Sequence, residues 1–244
     1  MKHFHMCQIT RVIQAIPGKL NNETHNLAIT AVALVAICFS LATSAAALSK
    51  CPYYDRNCPD SPIIVDVDNT GYHLTSAKDG VMFDISGTGH PIQLAWTAAG
   101  SMNAFLALPH DGKITNGKEL FGNFTPQPPS SHPNGFLALA VYDQPDHGGN
   151  GDGVIDDKDA IFPSLRLWID KNHDGIAQPD EIYTLHELGV FSISLHYKES
   201  WRVDTFGNLF RYKSIINVTD AEAEESTDGR TVYDVFFRTL EDER

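Results

Sequence analysis

Apolar positions in this chain come in short runs broken by Gly, Asn, Asp and Pro, a rhythm that favours strands over long helices. Ile63 to Val67 is apolar and β-branched, a buried-strand pattern; Tyr72 to Thr75, Val81 to Ile85, Gln93 to Thr97 and Ala104 to Leu108 follow as further strands between Gly and Asn turns. Phe124 to Pro133 carries Pro126, Pro128, Pro129 and Pro133 and reads as an extended loop. Beyond Asn134-Gly135, Phe136 to Tyr142 predicts a short apolar helix, and Asp157 to Ile161 a second one stopped by Pro163. Leu165 to Ile169 alternates like a strand. Pro179 to Leu188 predicts a third helix, with Pro179 in the first turn and Gly189 as its stop. The late strands are Phe191 to His196, Leu209 to Val218 and Thr231 to Thr239, and polar, acidic Glu222 to Asp228 is a loop tip. There are no long heptads and no tandem repeat. The expected fold class is α+β: a strand-rich frame with short helices clustered between about residues 135 and 188.

The N-terminus follows a different rule. Lys2, Arg11 and Lys19 precede an apolar run from Leu27 to Ala42, and small residues Ser44, Ala45, Ala46 and Ala47 come next. This is the layout of an export signal ending near residue 46. The same run left uncleaved is a membrane anchor, the one route to a membrane that the sequence offers. Residues 47–60 then form a linker with Cys51 and Cys58, an even pair for which a local disulfide is expected in an oxidising compartment, and residues 61–240 form the domain. The net charge is -13, which repels phosphate backbones and argues against a nucleic-acid partner while favouring cations.

The placement of the acids makes the cation specific. Calcium takes six to eight oxygen ligands, and a single segment supplies them by presenting oxygens at alternate positions around a turn glycine before a closing acid. The run from Asp170 to Glu181 does this: Asp170, Asn172 and Asp174 at positions one, three and five, Gly175 at six, the Ile176 carbonyl at seven, Gln178 at nine through a water, and Glu181 at twelve. The incoming strand and Ala177 at position eight depart from a standard EF-hand, so the loop is EF-hand-like. A second loop places Asn150, Asp152, Gly153, Val154, Asp156 and Asp159 at positions three, five, six, seven, nine and twelve. Gly148 stands at its position one, and Asp143 or Asp146 takes that role if Gln144 to Gly149 bulges out. A third region keeps Asp111, Gly112, Ile114 and Glu119 but has Ala107, Pro109 and Thr115 where oxygens are needed, and reads as degenerate. Asp66 to Gly71 and Asp84 to Gly89 read first as Asp- and Gly-rich turns, and second as segments whose oxygens share an ion across two strands.

Taken in order, Ser61-Pro-Ile-Ile-Val-Asp-Val-Asp, Gly80-Val-Met-Phe-Asp, Asn116-Gly-Lys-Glu-Leu-Phe-Gly, Gly135-Phe-Leu-Ala-Leu, Asn150-Gly-Asp-Gly-Val-Ile-Asp, Leu165-Arg-Leu-Trp-Ile-Asp and the stretch Leu185 to Leu195 resemble secreted bacterial proteins with EF-hand-like calcium loops. That module is also found attached to RTX-type haemolysin-like proteins. The resemblance covers roughly residues 61 to 215 and implies calcium binding and export, with no enzymatic activity to carry over. Relatives carry Asp and Asn ligands in the loop matching Ala107 to Glu119; this chain lacks them.

The expected function is therefore an exported calcium-binding protein, secreted or at the cell surface, whose ion stabilises the fold or supports contact with an extracellular protein or polysaccharide. Calcium is the one cofactor expected. No G-x-S-x-G, H-E-x-x-H or P-loop pattern occurs, so no enzyme is expected. The competing readings are a hydrolase with paired carboxylates and a dockerin-like module that presents a short helix to a partner. Trp168, Trp201, Phe236 and Phe237 are assigned to the core.

Overall fold

In the computed structural model, residues 60–217 and 230–242 are described. The leader, the linker with its cysteine pair and the Glu222 to Asp228 tip lie outside them. Eleven strands form among the described residues: β1 (Ile63–Asp66), β2 (Val81–Phe83), β3 (Ile92–Leu94), β4 (Asn103–Ala107), β5 (Val154–Ile155), β6 (Arg166–Trp168), β7 (Ile182–Tyr183), β8 (Ile193–Ser194), β9 (Lys198–Val203), β10 (Leu209–Ile216) and β11 (Arg230–Phe236). Nine join one antiparallel sheet in the order β5-β8-β10-β11-β1-β4-β6-β7, with β9 added beside β10; β2 and β3 pair separately.

The α+β expectation fails. The architecture is mostly β, a sheet curled into a half-barrel, and its one α-helix among the described residues is α1 (Gly135–Leu139), capped by the Asn134 side chain accepting from Leu137 N–H. The reasons are local. Pro179 to Leu188 has Ile182, Tyr183 and Thr184 at its centre, residues that fit a pleated surface better than a helix. These residues supply β7, which pairs with β6, and only single 3-10 turns flank it, at Pro179–Glu181 and His186–Leu188. Thr184 and Glu187 make a reciprocal capping box that restarts the chain in the second turn. Asp157 to Ile161 is also no helix: the Asp159 carboxylate accepts from Asp156 N–H and fixes a turn, followed by a 3-10 turn at Phe162–Ser164. Tyr72 to Thr75 contributes only the isolated bridge Leu74–Thr97 instead of a strand. Lys198–Val203, unassigned from the sequence, is β9.

The central strands are buried on both faces, which is why their sequences read as continuous apolar runs. One face carries Ile63, Val65, Ala104, Leu106, Leu167 and Val232. The other carries the register row Tyr233, Ile64, Phe105, Trp168, Ile182, which runs across five strands. Over that row lies an aromatic cluster: Trp96 sits 4.4 Å from Phe105, 5.0 Å from Phe83, 5.6 Å from Trp168 and 5.7 Å from Phe237, centroid to centroid. A bulge between Phe210 and Tyr212 in β10 sends these neighbours into opposite cores. Of the aromatics assigned to the core, Trp168 and Phe237 are fully buried and Phe236 is half-buried, but Trp201 is 69% exposed on β9, with the Arg211 guanidinium 4.1 Å from its ring.

Candidate metal centre

The segment Asp170 to Glu181 is the loop of a β-hairpin. β6 enters it and β7 leaves it, Trp168 faces Ile182, and Ile169 N–H closes the neck on Glu181 C=O at 3.0 Å. Strands thus replace both helices that flank such a loop in a helix–loop–helix. Gly175 turns the chain at φ +72°, which favours glycine, and a Cβ there would press on Val81 Cγ2 at 3.0 Å.

The two end acids are buried and aimed inward. Asp170, 1% exposed, accepts from Gly175 N–H (2.8 Å), Asp174 N–H (3.2 Å) and the Trp96 indole N–H (2.7 Å). Glu181, 2% exposed, accepts from Lys171 N–H (2.8 Å), Gln178 N–H (3.2 Å) and the Trp168 indole N–H (3.3 Å). Asn172 and Asp174 are exposed and held in turns of their own: Asn172 Oδ1 accepts from Asp174 N–H, and Asp174 Oδ1 from Ile176 N–H. Asp174 Oδ2 accepts amide N–H groups from both Asn172 (2.9 Å) and Gln178 (2.8 Å). The loop is also tied to the first half of the domain. Both ring nitrogens of His173 lie 2.7 Å from carbonyl oxygens, those of Thr97 and Asp79, and Gly100 N–H donates to Lys171 C=O.

The second loop has the same skeleton with an insertion. Asp143, 4% exposed, accepts from Gly151 N–H and Gly153 N–H at 3.0 and 3.1 Å, while Asp146 is exposed. Of the two acids it is thus Asp143 whose carboxylate accepts from the loop N–H groups, and Gln144 to Gly149 bulges out through a 3-10 turn at Pro145–His147. Asn150 and Asp152 repeat the internal turns, Asp152 Oδ1 accepting from Val154 N–H. Asp159, 1% exposed, closes onto Asn150 and Asp156 N–H groups. Burial raises the Asp159 carboxyl above its usual range; N–H groups of Asp156 and Asn150 oppose this, and the charges of Asp143 and Asp156 add to it. Val154 and Ile155, positions seven and eight, form β5 and dock on β8, so this loop is stitched into the sheet edge.

Elsewhere the pattern thins. In the third region Glu119 accepts from Thr115 and Asn116 N–H groups, and the Asp111 side chain, 89% exposed, points to solvent. Asp66 and Asp84 each accept the N–H of a glycine five residues on, Gly71 and Gly89, as Asp170 does from Gly175. The short spacing Asp-x-x-x-x-Gly was the signal for this shared turn.

Among the described residues no group of three or more His, Cys, Asp or Glu side chains is gathered closely enough to hold a metal. The donor chemistry of Asp170 to Glu181 nonetheless fits a hard cation. It offers carboxylates from Asp170, Asp174 and Glu181, a backbone carbonyl from Ile176, and Gln178 Oε1, a buried oxygen with no hydrogen-bond partner. No helix among the described residues is long and apolar enough to cross a membrane.

Comparison with known proteins accords with the boundaries of the sheet. The SPM domain family matches residues 63–236, from the first residue of β1 to the last of β11. Iron-regulated protein FrpA of Neisseria meningitidis serogroup C is 35% identical over 170 residues, which is 68% of this chain and 15% of that protein. The chain thus spans a small part of the relative's length, and it belongs to the SPM domain family.

Proposed function

We propose that this chain is an exported bacterial domain that binds calcium in Asp170–Glu181 and, more weakly, in the loop from Asp143 to Asp159. The observation that carries the reading is the repetition: two segments of different length converge on one hydrogen-bond skeleton, each with a buried acid at either end and amide or acid oxygens between. Asp170, Asn172, Asp174, Ile176, Gln178 and Glu181 would hold the first ion; Asp143, Asn150, Asp152, Val154, Asp156 and Asp159 the second. Asp159 is shorter than Glu181 and closes with less reach, which ranks the second loop lower. The ion neutralises crowded carboxylates and holds the loops in a chain of net charge -13. The signal-like N-terminus and the kinship with FrpA support a secreted or cell-surface location.

Calorimetric titration of calcium into metal-free protein tests this. A dissociation constant of roughly 10⁻⁵ to 10⁻³ M is expected for the first loop. At a free concentration near 100 times that constant, mass action adds about 2.7 kcal/mol to stability and raises the melting temperature. Absence of heat, together with identical melting in millimolar calcium and in chelator, removes the proposal.

A further inference from the structure

The two loops differ in one respect that the ligand pattern leaves unexplained. The acids of the second loop, Asp143 and Asp159, accept from backbone N–H groups of their own loop. Those of the first accept, in addition, from the side chains of two fully buried tryptophans: Trp96 at Asp170 and Trp168 at Glu181. Position one is thus held by one indole and position twelve by the other, and the two rings touch edge to face at 5.6 Å and 65°. Trp96 comes from outside the hairpin, 74 residues before its acceptor, and nothing in an oxygen-ligand motif calls for it.

We infer that Trp96 and Trp168 are positioning residues of the Asp170–Glu181 loop, holding its first and last carboxylates in place for a divalent cation and carrying the state of the loop into the aromatic core. This rests on the calcium reading above. The physical argument has three steps. A carboxylate buried to 1 or 2% exposure needs donors: each indole N–H shares Asp170 Oδ2 or Glu181 Oε2 with a backbone N–H, and the other oxygen of each acid accepts a single backbone N–H and keeps a lone pair. A donor fixed by a packed ring sets the carboxylate's rotamer before the ion arrives, so less ordering remains on binding. When the ion draws electron density from the carboxylate, the N–H bond to it changes, and the packed pair Trp96–Trp168, with Phe83 and Phe105 against it, registers that change. The third tryptophan, Trp201, is exposed on β9, stacks on Arg211, and serves as an internal control.

The experiment uses the full chain, labelled with nitrogen-15, titrated with calcium chloride while the three indole N–H signals are followed by NMR; W96F, W168F and W201F assign them. The same titrations are run by calorimetry. The Trp96 and Trp168 signals are expected to move with the calorimetric midpoint while Trp201 stays, and W96F should bind calcium 10- to 100-fold more weakly, the loss seen when an outer partner of a metal ligand is removed. If calcium binds by calorimetry but neither buried indole signal moves, the inference is overturned while the calcium reading stands. W96F that folds, as judged by its remaining indole signals, and binds with unchanged affinity overturns it too. If no heat and no shift occur in wild type, both fall. Should W96F fail to fold, the wild-type signals decide alone.

Discussion

Replacing Asp143 by alanine tests the least regular part of the site, the claim that a six-residue bulge brings this acid to the head of the second loop. The carboxylate is 4% exposed and accepts from two backbone N–H groups. Gly151 N–H also reaches the Asp143 backbone oxygen at 2.8 Å and keeps that partner in the variant. Gly153 N–H, half-buried, loses its acceptor. One hydrogen bond to a charged group is worth roughly 1.5–3 kcal/mol, so Asp143→Ala should lower stability by about 2 kcal/mol without any metal. With a urea slope of about 2 kcal/mol per M, the unfolding midpoint drops by about 1 M. Asp146, the rejected candidate, is exposed, and Asp146→Ala should stay within about 0.5 kcal/mol of wild type. Urea unfolding followed by fluorescence in chelator and in calcium gives both numbers. Equal effects from the two variants, or a larger one from Asp146→Ala, would refute the bulge as drawn.

Glu181→Gln keeps an oxygen for the neighbouring N–H groups but loses the charge; calcium affinity measured by calorimetry should fall at least about tenfold, with a smaller change in metal-free stability. Asp234 is fully buried, and burial pushes its carboxyl up to about 7, against the opposing pull of the Ser61 hydroxyl and the Gly135 N–H. Because its folded value lies above the unfolded one, the stability it allows is complete below about pH 4 and is lost as pH rises toward 7. Asp60, raised to about 7 by burial and then by Asp242, acts in the same direction. Asp234→Asn should flatten the decline in a pH series of urea midpoints; an unchanged slope would count against the buried acid. Phe105→Ala, at the centre of the aromatic cluster, should cost about 3–5 kcal/mol, while Trp201→Ala, which loses a surface cation–π contact, should cost no more than about 1 kcal/mol in the same assay.

The strands of the sheet centre were plain in the sequence because Ile63–Asp66 and Asn103–Ala107 are buried on both faces, leaving almost no polar alternation to confuse them. The helices were misread where loop chemistry governs the chain. In Pro179 to Leu188 the apolar spacing suits a helix, but pairing of Ile182–Tyr183 with β6 and two successive acid caps divide it into turns. For the candidate site, the first loop's acids and glycine follow from spacing alone. The position of Asp143 needed the bulge, which spacing permits and does not require. The indole donors lay beyond reach, since Trp96 meets Asp170 only through the packing of one sheet against the other.

β1 lies between β4 and β11, so the first strand of the sheet and the last are hydrogen-bonded neighbours at its middle. Contacts this distant along the chain make for slow folding, since a long loop must close before they are rewarded. A ribosome can release everything up to residue 229 and still leave β1 and β10 with open flanks, inviting pairing with other chains until Arg230–Phe236 arrives. Truncation ahead of Arg230 should accordingly yield aggregates and not a smaller folded domain.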